Sequence, residues 1–129
     1  MTLRVLIAED EFLIALDLES QVEDAGHIVV GVASTQETAI VLAGQEQPDL
    51  VLMDLQLAGP SSGIEAAKTI RRAHGIKSVL LSGSLHKLTE GDIAQIEPLA
   101  MLSKPVLNTQ VKDELDRAAA LCQDPAHKN

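Results

Sequence analysis

Five polar side chains in this 129-residue chain stand at the ends of apolar runs. Glu9 and Asp10 come after residues 3–8, Asp54 after 50–53, Ser82 after 79–81, and Lys104 with Pro105 after 99–102. Three of the five are carboxylic acids, which repel one another unless a cation lies among them. They offer the hard oxygen ligands that suit Mg2+, an ion that keeps several waters and needs few protein donors. A lysine ammonium adds a movable positive charge, and a serine hydroxyl adds a hydrogen-bonding group. Brought together, these groups make a site for a phosphoryl group, with metal, ammonium and hydroxyl each neutralising or holding one oxygen. Taken by itself, Asp54 has a simpler reading, as the turn residue that ends a strand.

Whether the five groups meet depends on the elements that carry them. Strand-like runs rich in Val, Leu and Ile cover residues 3–8, 28–33, 50–54, 79–82 and 99–102, each bounded by turn residues. Helical patterns lie between them. Residues 11–25 put Ile14, Leu18, Val22 and Ala25 on one stripe and stop at Gly26. Ser34 or Thr35 can cap a second helix reaching about Gln45, with Glu37 placed for a capping box. Residues 63–74 turn Ile64, Ala67 and Ile70 inward and end at Gly75; residues 86–96 form a weaker candidate with Leu88, Ile93 and Ile96. The last pattern, 106–122, spaces Val111, Leu115, Ala118 and Cys122 along one face.

Strands alternating with helices in this way predict parallel βα units. The fold expected is α/β: a flavodoxin-like (βα)5 three-layer sandwich around a parallel five-stranded sheet of order 2-1-3-4-5. On such a sheet ligands bind beyond the carboxyl ends of the strands, near the switch point between strands 1 and 3. Every polar tip falls at that end, and Glu9, Asp10 and Asp54 are expected to share one pocket.

Composition narrows the function. With 19 acidic and 10 basic residues the net charge is −9, and the Lys and Arg are scattered, which disfavours nucleic-acid binding. Phe12 is the only aromatic residue, so no stacking platform for bases exists and the core must be aliphatic. Cys122 is the only cysteine, which excludes an intrachain disulfide and fits a reducing, cytoplasmic setting. No stretch approaches the roughly 20 apolar residues of a membrane span. The length suits a single domain, expected over residues 1–122, followed by a polar tail at 123–129.

Read together, "AEDE", "LVLMDLQL", "LLSGS" and "LSKPV" carry a resemblance. From residue 3 to about 121 the chain resembles a receiver domain of the bacterial two-component response regulators. The resemblance implies that Asp54 accepts a phosphoryl group from a phosphohistidine on a sensor histidine kinase or a histidine phosphotransfer protein. It implies that Asp10 and Asp54 bind Mg2+, Glu9 acting through water and the main-chain carbonyl of Gln56 supplying a further ligand. Lys104 would pair with the phosphoryl oxygens. Ser82 would swing to hydrogen-bond the acyl phosphate and so report it, a local charge event biasing a two-state surface. Gly83, the next residue, would leave the phosphoryl group accessible. The chain is also similar to receivers of the alphaproteobacterial general-stress type. On that likeness it is expected to be a stand-alone regulator, monomeric or weakly dimeric, serving as a phosphorelay shuttle, a phosphate sink or a docking regulator.

Departures from the family pattern carry their own expectations. Met101 stands three residues before Lys104, where the family usually has Tyr or Phe, so the swing of an aromatic ring is not available to the switch. The loop after Asp54 is a residue longer than the commonest form. Gly91 and Pro98 interrupt the fourth helical segment, which is expected to be short or distorted. If Lys104 is to point back into the acidic pocket the chain must reverse abruptly, so a cis bond before Pro105 is expected, as the resemblance also implies. Leu13 and Leu16 fall well off the inward stripe of the first helix and are expected to be exposed; by resemblance they would meet the phosphodonor.

Two rival classes are open. A haloacid-dehalogenase-type phosphotransferase would want a second Asp two residues after Asp54, where this chain has Gln56. A pseudo-receiver that binds partners without phosphorylation would be expected to lose one of the five polar tips, and all five are present. His27, His74, His86 and His127 lie in or beside loops without ligand spacing and are read as solvated surface. Cys122 is read as a small core residue, and Glu11 as an acid favouring the dipole of the first helix.

Overall fold

The computed structural model describes residues 1–59 and 62–123. The apolar runs become β1 (Arg4–Ala8), β2 (Ile28–Ala33), β3 (Leu50–Asp54), β4 (Lys77–Ser82) and β5 (Ala100–Ser103). The amphipathic segments become α1 (Phe12–Asp24), α2 (Gln36–Glu46), α3 (Gly63–His74), α4 (Glu90–Ile96) and α5 (Asn108–Gln123). Of the expected tail at 123–129, Gln123 closes α5 and the rest lies outside the described residues, as does His127.

The five strands are parallel and ordered β2-β1-β3-β4-β5, giving the flavodoxin-like three-layer α/β fold. Period-2 alternation sends side chains to two separate layers. Val5, Ile7, Leu50, Leu52, Val79 and Leu81 pack with Leu18 and Val22 of α1 and Val111 and Leu115 of α5. On the other face Leu6, Ala8, Val51, Met53 and Leu80 pack with Ala39 and Ala43 of α2, Ala66, Ala67 and Ile70 of α3, and Ile96 of α4. All of β3 is buried, as a strand covered on both faces must be, which is why it reads as a continuous apolar run up to Asp54. Burying a leucine or valine fully is worth about 1.5–3 kcal/mol, so these two aliphatic layers hold the sheet without aromatic residues.

Register then aligns the strand tips. Ala8 lies opposite Met53, Asp54 opposite Leu81, and Ser82 opposite Ser103. Residues just past these positions therefore emerge on one edge of the sheet.

Three local readings, the capping box at Glu37 and the solvation of His27 and of His74, are corrected by the structure. Thr35, not Ser34, caps α2, its Oγ1 accepting from the Thr38 N–H at 3.1 Å, so Glu37 falls one residue short of the capping-box position. His27 is buried rather than solvated: its Nδ1 accepts from the Leu3 N–H at 3.0 Å, satisfying a backbone donor just before β1 begins. Of the other described histidines His86 is exposed, whereas His74 is half-buried beside Gly44. Cys122 is half-buried at the border of the α1/α5 layer.

The fourth helix is short, seven residues, and follows a 3-10 turn over Leu85–Lys87. Ile96 is its one fully buried residue. What holds the rest is polar. Thr89 and Asp92 form a capping box, Asp92 pairs with Lys68 of α3 at 2.7 Å, and Glu97 just beyond the helix pairs with Arg71 of α3 at 3.0 Å. The Lys68 hydrogen bond, helped by the Thr89 N–H, holds the Asp92 carboxyl below the ordinary aspartate value. A lowered folded-state value means that the contribution is present above the ordinary value and lost as pH falls through the lowered one. Asp92→Ala is therefore expected to speed amide hydrogen exchange in α4 while barely moving the global melting temperature. In the parent, α4 resonances should change below the usual carboxylate range and hold steady above it. Unchanged α4 exchange in the variant would contradict this account of what holds the helix.

Candidate functional site

The carboxyl edge of the sheet gathers Glu9, Asp10 and Asp54. One carboxylate oxygen from each lies within 4.8 Å of the other two. Glu9 and Asp54 are buried, at 2% and 3% exposure, whereas Asp10 faces solvent. Adjacency of β1 and β3 is what makes this possible, since Glu9 follows the last residue of β1 and Asp54 ends β3.

Lys104 supplies the counter-charge. Its Nζ donates to Glu9 Oε1 at 2.9 Å and lies 3.2 Å from Asp54 Oδ2, tying the tip of β5 to those of β1 and β3. The chain turns there through a cis Lys104–Pro105 bond, and the Lys104 N–H donates to the Ser82 carbonyl at 3.0 Å. Burial by itself would lower the pKa of this ammonium, but the hydrogen bond to Glu9 and the charge of Asp54 outweigh it. The result is a value above the ordinary lysine one.

Each buried carboxylate keeps one oxygen for Lys104 and gives the other to its own loop. Glu9 Oε2 accepts from the Glu11 N–H at 3.2 Å, and Asp54 Oδ1 accepts from the Gln56 N–H at 3.1 Å. This division sets the plane of both carboxyl groups. Ser82 is buried on the adjacent strand, where its Oγ accepts from the Ser84 N–H at 2.9 Å, which leaves the hydroxyl proton to donate elsewhere. A side chain added at Gly83 would meet nothing within 4 Å, so the approach past Ser82 is open.

Other residues singled out in the sequence lie around this centre. Gln56 is exposed and pairs with Ser62 in an isolated antiparallel bridge. Met101 lies on the edge strand β5 opposite Leu80 and is 43% exposed. Leu13 and Leu16 are exposed on α1, at 77% and 51%, next to an equally exposed Phe12. Leu13 also lines a groove of about 490 Å³ that runs beside Lys104, Pro105 and Val106. The loop amides of Glu11, Gln56 and Ser84, which orient the three polar groups, were not foreseeable, because every residue type except proline carries one. Chemically, the cluster is an acidic pocket with three hard oxygen donors, one fixed ammonium and one donor hydroxyl.

Comparison with known proteins agrees with this fold. The family described as response regulator receiver domain matches residues 5–116. The chain is 34% identical over 119 residues to the phyllosphere-induced regulator PhyR of Methylorubrum extorquens, covering 92% of this chain and 44% of that protein. It is 45% identical over 67 residues to the transcriptional regulatory protein PdtaR of Mycobacterium tuberculosis, covering 52% of this chain and 32% of the other. The chain thus spans less than half the length of these curated relatives. Among solved structures, the receiver domain of Erythrobacter litoralis PhyR superposes with a TM-score of 0.84 at 34% identity, covering 96% of this chain and 95% of that one. The anti-anti-sigma factor PhyR from Bartonella quintana gives a TM-score of 0.80 at 33% identity, over 98% of this chain and 51% of the other. With the fold, the acidic edge and the family match in agreement, the chain belongs to the response regulator receiver domain family.

Proposed function

We propose that Asp54 is a phosphoacceptor, taking a phosphoryl group from the phosphohistidine of a sensor histidine kinase or a histidine phosphotransfer protein. The observation that carries this reading is the approach of Lys104 Nζ to both Glu9 and Asp54 within a cluster of three carboxylates. In the transfer a carboxylate oxygen of Asp54 forms the new bond to phosphorus, the phosphorus–nitrogen bond breaks with its electron pair going to nitrogen, and the donor ring, already protonated on its other nitrogen, leaves as neutral imidazole. Lys104 already touches the acceptor carboxylate and is placed to balance the negative charge that the incoming phosphoryl oxygens bring. The free hydroxyl proton of Ser82 serves a phosphoryl oxygen once one is present.

The donor set fits Mg2+, because the oxygens are hard, few and open to water through Asp10. Glu9, Asp10, Asp54 and the main-chain carbonyl of Gln56 would hold the ion, Glu9 through water. Bound there, Mg2+ would neutralise charge on the transferring phosphoryl group.

Residues 1–122 act as the receiver unit in this reading, in the cytoplasm, as a monomer or weak homodimer. Output goes by shuttling the phosphoryl group, by draining it from a kinase, or by docking. Docking draws support from the likeness to PhyR, named an anti-anti-sigma factor. Met101 takes the switch position without an aromatic ring. Exposed Leu13, which lines the groove at Lys104, and exposed Leu16 meet the phosphodonor. Among the described residues no helix is long and apolar enough to cross a membrane.

Intact mass after incubation with Mg2+ and acetyl phosphate tests the reading. A single phosphate adduct is expected, absent in Asp54→Ala. No adduct would favour a pseudo-receiver, and turnover of phosphomonoesters would favour a phosphotransferase. In the same experiment, Leu13→Glu with Leu16→Glu should slow labelling by the kinase and leave acetyl phosphate labelling intact; equal loss of both would contradict the docking role.

Thermal melts test the charge balance. Carboxylates about 5 Å apart repel by about 3 kcal/mol at an effective dielectric near 20. Asp54 meets two such repulsions and a burial penalty against one attraction to Lys104. Asp54→Asn keeps the Gln56 contact and removes the charge. In chelator it should melt higher than the parent, by about 3–5 °C for a gain of about 1 kcal/mol. In millimolar Mg2+ the parent should gain more than the variant. A parent indifferent to Mg2+, or a variant destabilised in chelator, would contradict the reading of the pocket.

A further inference from the structure

Gly63 is the first residue of α3, is buried, and does not occupy the left-handed region of backbone space. Its need for glycine is one of room. A methyl carbon built at Gly63 would overlap the main-chain oxygen of Asp54, and would lie 2.6 Å from Leu55 Cα and 2.9 Å from the Asp54 carbonyl carbon. All three atoms are backbone, so no side chain can rotate out of the way. Carbon atoms in contact sit at about 3.5–4.0 Å, so an added methyl group requires a main-chain shift of about 1 Å.

The same two segments are bonded together. The Gly63 N–H donates to the Leu55 carbonyl at 3.1 Å, and Ser62 forms the bridge with Gln56. Ser62 is itself held from α2, its N–H donating to Gln36 Oε1 at 3.1 Å, and its Oγ caps α3 by accepting from the Glu65 N–H at 3.2 Å. The start of α3 thus presses on the peptide between Asp54 and Leu55 while gripping Gln56. Those residues carry the acceptor carboxylate, the amide that orients it, and the carbonyl assigned to the metal.

We infer that Gly63 is a positioning residue for phosphoryl acceptance. By having no side chain, it lets the rigid first turn of α3 set the main chain of residues 54–56. The inference rests on the phosphoacceptor reading of Asp54, and a misplacement of about 1 Å in such a site can cost about 100-fold in rate.

The test compares Gly63→Ala with Gly91→Ala, where the added methyl group would meet only Thr89 Oγ1, at an ordinary 3.7 Å. Three quantities are read: amide resonances of residues 54–56, the Mg2+ concentration that half-saturates their shifts, and the rate of acetyl phosphate labelling. Gly63→Ala should melt cooperatively, displace those resonances, raise the Mg2+ requirement about tenfold or more and slow labelling by about 10- to 100-fold. Gly91→Ala should match the parent in all three. Parent-like resonances, Mg2+ requirement and labelling in Gly63→Ala would overturn the inference. If that variant fails to melt cooperatively, Gln36→Ala decides, since it loosens Ser62 without adding any atom to the contact. Displaced resonances at 54–56 and labelling slowed several-fold would support the inference, and parent values would overturn it. A parent that takes no phosphate removes the phosphoacceptor reading, while the resonances still judge Gly63 as the support of residues 54–56.

Discussion

The contact on which the site depends is the ammonium of Lys104 between two buried carboxylates. Glu9 and Asp54 lie almost wholly out of water, where an unpaired charge would be costly. Lys104 meets both at hydrogen-bond distance, and loop amides take the oxygens that remain. Hydrogen-bonding capacity is therefore satisfied, while one ammonium among these carboxylates leaves the pocket net negative. Asp10 is the carboxylate left facing solvent, which keeps the pocket negative and open on that side.

The rest of the architecture serves that meeting. Glu9 and Lys104 stand 95 residues apart in the chain. They come together because β1 and β3 are neighbours in the sheet and β5 closes the same edge through β4. Aliphatic packing on both faces fixes the registers, so the tips stay aligned without any covalent link. The helices do unequal work. Two layers of apolar contact hold α1, α2, α3 and α5, whereas α4 leans on Ile96 and on ion pairs to α3. The element most lightly attached is thus the helix that follows the strand ending in Ser82.

How much of this was legible in the sequence follows from the kind of signal each part leaves. The strand at 50–54 and the helix at 63–74 are found at the positions read from the chain, because turn residues mark both ends. The fourth strand begins two residues earlier than its apolar run, since Lys77 and Ser78 pair in the sheet without being apolar. The last helix starts at Asn108, later than the apolar pattern suggests, because Leu107 is still turning and its N–H is taken by Gln110 Oε1. The polar tips were visible because each breaks an apolar run. His27 left no such mark, because its buried role depends on Leu3, 24 residues away. Gly63 gave no warning either, since a requirement for empty space is seen only when two backbones are laid against each other.

The central claim is that Lys104 and the buried carboxylates form one coupled charge unit, and a double-mutant cycle on Glu9 and Lys104 measures it most directly. Urea unfolding in chelator would compare the parent, Glu9→Gln, Lys104→Met and the double variant. Losing Lys104 alone leaves carboxylates facing one another, whereas losing both partners removes the conflict. The account predicts that the double variant is more stable than the sum of the single effects implies, by about 1–3 kcal/mol. Single effects that add to within about 0.5 kcal/mol would contradict it, and would mean that Lys104 rests beside the pocket without holding it together.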